Sequence, residues 1–174
     1  MHDLTKEDEI LERLAGLDNP RGFFMETVSI VAEGVEQMLR RAFRQEEYAV
    51  KYAIEPLLNR EGPLSELSVR LKLMLALGML SATAYQDLEL FIKLRDWLCD
   101  SRKDYRFSDE ALFNRLTALC SLQAVGVPRL PNADAAGDAL LYAMQRDRQD
   151  QMTRSALLLC VTRVVSELGK ESPI

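Results

Sequence analysis

Residues 48–80 read YAVKYAIEPLLNREGPLSELSVRLKLMLALGML, and the parsing of this stretch decides the fold. Its first part opens near Glu46 and carries Tyr48, Tyr52 and Ile54 at helical spacing. Pro56 must kink or end that helix, because proline lacks a backbone N–H and crowds the carbonyl one turn back. Residues 59–63 then form a turn around Gly62 and Pro63. Beyond it, Leu64, Leu67, Leu71, Met74, Leu75 and Gly78 share one helical face, while Leu73, Ala76, Leu77 and Leu80 occupy the others. A helix apolar on all sides past residue 72 is expected to be a buried central one. Its Leu, Met and Ala content, poor in β-branched residues, argues against a strand.

Working outward, helical periodicity continues in both directions. Thr5-Lys6-Glu7-Asp8 reads as a capping box opening a short N-terminal helix over 5–17, with Ile10, Leu11, Leu14 and Leu17 on its apolar side. Asn19 is placed as N-cap and Pro20 as first residue of a second helix running to about Phe43. Along it Phe24, Val28, Val31, Val35, Met38 and Ala42 repeat at alternating steps of four and three, a heptad seam short enough to pack inside a bundle. Gly34 in its middle costs about 1 kcal/mol relative to Ala, which suggests close approach of another backbone. After residue 80, a fifth helix from Ser81 or Thr83 to about Cys99 buries Leu88, Phe91, Ile92 and Leu98. Residues 101–107 form a charged loop, and Ser108 caps a sixth helix to about Ala124. The long loop, about 125–138, holds Pro128, Pro131 and Gly137. The last helix, about 139–168, has a polar centre and a distal stripe of Leu157, Val161, Val164 and Leu168. The chain is therefore expected to be all-α: one multi-helix bundle over 1–174, with a long central buried helix and no separate DNA-binding domain.

Its 174 residues suffice for a real core without disulfides or metal. Three widely spaced cysteines (Cys99, Cys120, Cys160) read as reduced thiols of a cytosolic protein. The acidic opening MHDLTKEDE lacks a signal pattern, and the apolar run 73–80 falls far short of the ~20 residues of a membrane span. A cytoplasmic location, with no membrane partner, follows as the expectation.

Few residues suit catalysis. The only histidine, His2, sits at a terminus, so neither Ser-His-Asp nor Cys-His chemistry has a held imidazole. There is no Glu-x-x-His pair for a bundle metal centre, no Gly-x-Gly-x-x-Gly and no Walker loop. No catalytic, metal or cofactor-binding residue is therefore assigned, and the chain reads as a non-enzyme. DNA binding is the harder question. A net charge of −5 would require the cations to gather on one face, because phosphate neutralisation supplies most of the affinity. The best helix-turn-helix candidate, 71–93 with Gly78 at the turn, offers Tyr85 and Gln86 to bases. It also places Asp87 and Glu89 where phosphates would approach, which argues against direct DNA binding. Cations gather instead at Arg40, Arg41 and Arg44, with Lys51 beyond, where they also suit a helix C-terminus. Together with Arg70 and Lys72, which point about 200° apart on one helix, these are the candidate partner-binding residues. One of that last pair would serve equally well as a buried ion-pair partner.

The stretch 48–80, with its continuation AYQDLELFIKLRDWL over 84–98, resembles the mannitol operon repressor family of bacterial regulators. The resemblance is carried by residues 48–53, Pro56-Leu57-Leu58, Gly62-Pro63-Leu64 and Arg70-Leu71-Lys72-Leu73, and is best over about 44–107. It implies a cytoplasmic repressor of mannitol uptake and utilisation genes, and supplies no catalytic or metal site. The acidic balance and the absent recognition helix favour action through a protein partner, and the resemblance, with mannitol entering such bacteria by phosphotransfer uptake, implies another regulator or a sugar-phosphotransfer carrier. The alternatives are an operator-binding repressor acting as a dimer, or a small-ligand-binding bundle stabilised by mannitol or its phosphate. The seam on the second helix and the stripe on the last each offer a face for a homodimer or for internal packing.

Overall fold

The computed structural model describes residues 2–43, 45–127, 129 and 137–170, with side chains from Lys6 onward. Every regular element among them is helical. Helix α1 spans His2–Ala15 and so begins ahead of Thr5, which lies inside the helix and does not open it. Helix α2 spans Pro20–Ala42 and starts as its sequence dictates: the Asn19 side chain accepts from the Arg21 and Gly22 amides, and Pro20 takes the first helical position.

α2 is the central element. It packs against α1 and against three later helices, α5 (Leu67–Ala76), α6 (Ala82–Asp100) and α9 (Ala139–Gly169). Phe24, Val28, Val31, Val35 and Met38 of its seam are buried, whereas Ala42 at its end is exposed. Phe23 and Phe24 meet edge to edge with ring centroids 5.5 Å apart, and Phe23 meets Phe107 at 5.7 Å. Each such ring, buried fully, contributes roughly 1.5–3 kcal/mol. At Gly34 the close neighbour is a side chain and not a backbone: a Cβ there would lie 3.1 Å from Leu168 Cδ1 of α9, so the leucine would have to shift by a few tenths of an ångström.

The stretch 48–80 settles one alternative of its sequence reading and departs from that reading once. First, α3 (Glu47–Ala49), a π-helical turn (Val50–Ile54) and α4 (Glu55–Leu58) form one continuous run through Pro56. The wider turn, closed by the Glu55 amide on the Val50 carbonyl, moves the backbone away from the proline ring, so the helix is distorted instead of ended. Second, α5 is short and one-sided. Arg70, Leu71 and Met74 are buried, while Lys72, Ala76 and Leu77 are exposed. Leucine content alone does not place a helix at the centre, since folded surfaces carry much apolar area. α5 ends in a Schellman turn: Gly78 has φ +73°, Met79 N donates to Met74 O and Gly78 N to Leu75 O. Between α4 and α5, Gly62 is obligatory, because a Cβ would sit 2.3 Å from the Pro56 carbonyl oxygen.

The expected sixth helix is two, α7 (Glu110–Leu116) and α8 (Cys120–Val125). No glycine or proline marks the break. Its cause is tertiary: Asp87 of α6, 2% exposed, accepts from the Cys120 and Ser121 amides at 2.7 and 2.9 Å and so fixes a new helix start. α9 lays Leu157, Val161, Val164 and Leu168 into the core. Its polar centre is tied to the preceding loop, where Arg106 pairs with Asp147 and Asp150 and Arg146 pairs with Asp109. The segment 101–107 is thus anchored, with Phe107 buried and Tyr105 stacked 4.6 Å from Trp97. Of the long loop, residues 128 and 130–136 lie outside the described residues.

Candidate functional site

The arginines explain most of the charge pattern. Arg21 donates to the carbonyls of Leu98, Ser101 and Lys103, closing the end of α6. Arg154 does the same for Leu14, Ala15 and Leu17 at the end of α1. Arg70 donates through Nε to Leu64 O at 2.6 Å and through Nη2 to Leu58 O at 3.0 Å, holding the end of α4 and the turn after it. Its Nη1 lies 3.6 Å from Glu36 Oε2. Helix ends leave carbonyls without intrahelical partners, and a guanidinium fork from elsewhere in the chain satisfies several at once.

The candidate partner-binding residues therefore differ in what they are free to bind. Arg70 is internal. Arg40 is paired with Glu36 one turn earlier at 3.0 Å, and Arg41 reaches Leu168 O at 3.3 Å, at the end of α9. Lys51 and Lys72 are exposed, and Arg44 lies outside the described residues. Lys51 belongs to a compact surface feature on the π-helical run: Tyr48 and Tyr52 are 71% and 60% exposed, their rings 4.6 Å apart, with Lys51 Nζ 5.4 Å from the Tyr52 centroid. Large exposed tyrosines are among the residue types enriched at protein interfaces.

The stretch weighed as a helix-turn-helix turns its would-be reading helix inward. α6 buries Ala84, Asp87, Leu88, Phe91, Leu94 and Leu98. The Tyr85 hydroxyl donates to Glu89 at 2.6 Å, and that hydrogen bond raises the phenol's pKa above its usual value. Glu89 also faces Lys93 at 3.9 Å. The two heptad stripes considered for a homodimer, on α2 and on the distal half of α9, are both buried within this chain.

A small pocket of about 140 Å³ lies where α6, α8 and α9 meet, lined by Thr83, Asp87, Cys120, Arg163 and Glu167 among others. Ser81, the N-cap of α6, donates from Oγ to Glu167 Oε2 at 3.2 Å across its rim. The sequence reading missed this pocket because its lining comes from three separate elements; the only local signal was Arg163 and Glu167, one turn apart on α9. Behind it Cys160 is buried, which pushes its thiol pKa up and leaves it unreactive. Among the described residues no group of three His, Cys, Asp or Glu could hold a metal ion, and no helix is long and apolar enough to cross a membrane. His2 lies in α1, and its side chain is outside those described.

Comparison with known proteins agrees on one family. Residues 6–169 match the mannitol repressor family model. The mannitol operon repressor of Escherichia coli K12 is 38% identical over 163 residues, covering 94% of this chain and 82% of the relative. A chain of the X-ray structure of the Escherichia coli MtlR–HPr complex superposes with a TM-score of 0.88 at 36% identity, over 95% of this chain and 99% of that one. A Shigella flexneri protein named fumarase E is 30% identical over 93% of this chain and 96% of its own length. With the family model spanning nearly the whole sequence, the chain belongs to the mannitol repressor family.

Proposed function

We propose that this chain is a cytoplasmic, non-enzymatic repressor of a mannitol uptake and utilisation operon that acts by binding a protein partner, a phosphotransfer carrier of the HPr kind. The observation that carries the proposal is the near-complete superposition on a family member solved with HPr. The arginine arrangement supports it: Arg21, Arg70 and Arg154 are held on backbone carbonyls and Arg40 on Glu36. Cations committed in this way are not available to neutralise a run of phosphates. Tyr48, Lys51 and Tyr52 are the proposed contact, and Lys72, exposed and in no ion pair among the described residues, is a further candidate.

Titration calorimetry of the purified chain with the host's HPr tests this. Saturable binding is expected, weakened at least about tenfold by a Tyr48→Ala, Tyr52→Ala double variant that keeps its fold. Absence of carrier binding, together with salt-sensitive, sequence-specific retardation of mannitol operator DNA, would replace this reading with a direct operator-binding repressor. Hydration of fumarate by the purified chain, lost on substitution within the pocket, would instead establish an enzyme of the kind the fumarase E name describes.

A further inference from the structure

The pocket between α6, α8 and α9 has a composition that selects its ligand. Arg163 and Glu167 lie one turn apart on α9, in the less favourable order for a helical ion pair, and they are not paired with each other. Among the described residues the Arg163 side chain makes no hydrogen bond and no ion pair, yet it borders the pocket. Glu167 Oε2 accepts one hydrogen bond from Ser81, so the carboxylate keeps acceptor capacity. Thr83 Oγ1, 3.3 Å from Ser81 Oγ, can both donate and accept, and Cys120 contributes a thiol. Both Asp87 oxygens already hold backbone amides of α8. Ala84, Ala124 and Val164 supply small apolar walls.

Two carboxylates face one guanidinium here. The N-terminus of α6 offsets only about half a charge, so a small anion is not favoured. The lining offers both donors and acceptors, which suits hydroxyls, since each hydroxyl donates and accepts at once. The size fits about six heavy atoms: an enclosed apolar cavity of about 150 Å³ holds benzene. We propose that this pocket binds one end of a linear polyol, about three carbons with their hydroxyls. Arg163 donates to one hydroxyl, Glu167 accepts from its neighbour, and the C–H faces lie on the alanine walls. The rest of the polyol extends into solvent. Mannitol is the probe of choice, and that choice alone rests on the regulatory reading above.

Calorimetric titration of the full chain with D-mannitol, without any carrier, tests the proposal. Saturable one-site binding in the millimolar range is expected. Arg163→Ala weakens it by about tenfold or more, the size of one lost charged hydrogen bond. Ala124→Phe, at an exposed position on the pocket wall, abolishes it. Both variants should melt with the parent protein in the absence of polyol, because neither side chain is buried. No saturable heat up to about 100 mM mannitol, binding that survives both variants, or tighter binding of inorganic phosphate than of mannitol each overturns the proposal. Because the carrier is absent, failure here leaves carrier binding to be judged by its own titration.

Discussion

Arg70 and Arg163 sit on helices of the same bundle, and their surroundings are opposite. Arg70 is 9% exposed, with two donors on the carbonyls of Leu58 and Leu64 and a third facing Glu36. Arg163 is exposed, with open volume before it and no acceptor among the described residues. Counted as charges they are equal. Read by their acceptors, one closes the turn between α4 and α5, and the other is free to meet something that arrives. The comparison teaches that an arginine in a family-defining stretch need not be a contact residue, and that the available one can lie far from that stretch.

The largest effect that separates the two corners is expected from Arg70→Met. The substitution keeps the stem's packing and leaves two carbonyls near the core without donors, at a cost of about 3 kcal/mol. Urea unfolding should show a lower midpoint with an unchanged slope. A loss below about 1 kcal/mol would mean that water reaches the Leu58 and Leu64 carbonyls, and that Arg70 has no special structural standing.

Next in size is Asp87→Ala, on the wall of the open corner. It removes the acceptor of the Cys120 and Ser121 amides, and a charged cap of this kind is worth about 2 kcal/mol. The loss should be local as well as global. Hydrogen exchange is expected to quicken at the amides of α8 (Cys120–Val125) while the middle of α2 stays protected. Uniform quickening across both helices would show that Asp87 does not act through α8.

These two residues also mark how far the sequence could be read. Features within one turn of chain were legible: the Asn19–Pro20 cap, the start of α6 near Ser81, Gly62 and Pro63 in a turn, and the apolar stripe of α9. Features made by distant residues were not. Nothing in residues 117–119 announces a break, because its cause is a carboxylate more than 30 positions earlier. Arg21 and Arg154 close helices 77 and 137 positions away. The candidate cations were therefore taken as a loose set, and only the structure distinguishes paired Arg40 and internal Arg70 from exposed Lys51 and Lys72. The pocket was hidden for the same reason, as Thr83, Cys120 and Arg163 carry no shared spacing.

The smallest predicted effect concerns what an arginine's acceptors do with protons. Arg13 of α1 donates to Glu26 and Glu33 of α2, at 2.6 and 2.7 Å, so its partners titrate, whereas the carbonyls on Arg70 do not. The hydrogen bond from Arg13 is the main cause holding the Glu33 carboxyl below its ordinary value of 4.5. A carboxyl with a lowered folded-state pKa stabilises the fold above the unfolded value, and that contribution is lost as pH falls through the lowered one. Glu33 is 54% exposed, so solvent screening limits the effect to under about 1 kcal/mol. Arg13→Met should therefore lower stability slightly at neutral pH, and its curve should converge on the parent's as pH falls through the lowered Glu33 value. Arg70→Met should show a gap across the same window that narrows little, since carbonyls are its chief acceptors. Parallel curves for Arg13→Met would mean that the α1–α2 link depends on the packing of the arginine stem and not on its charge.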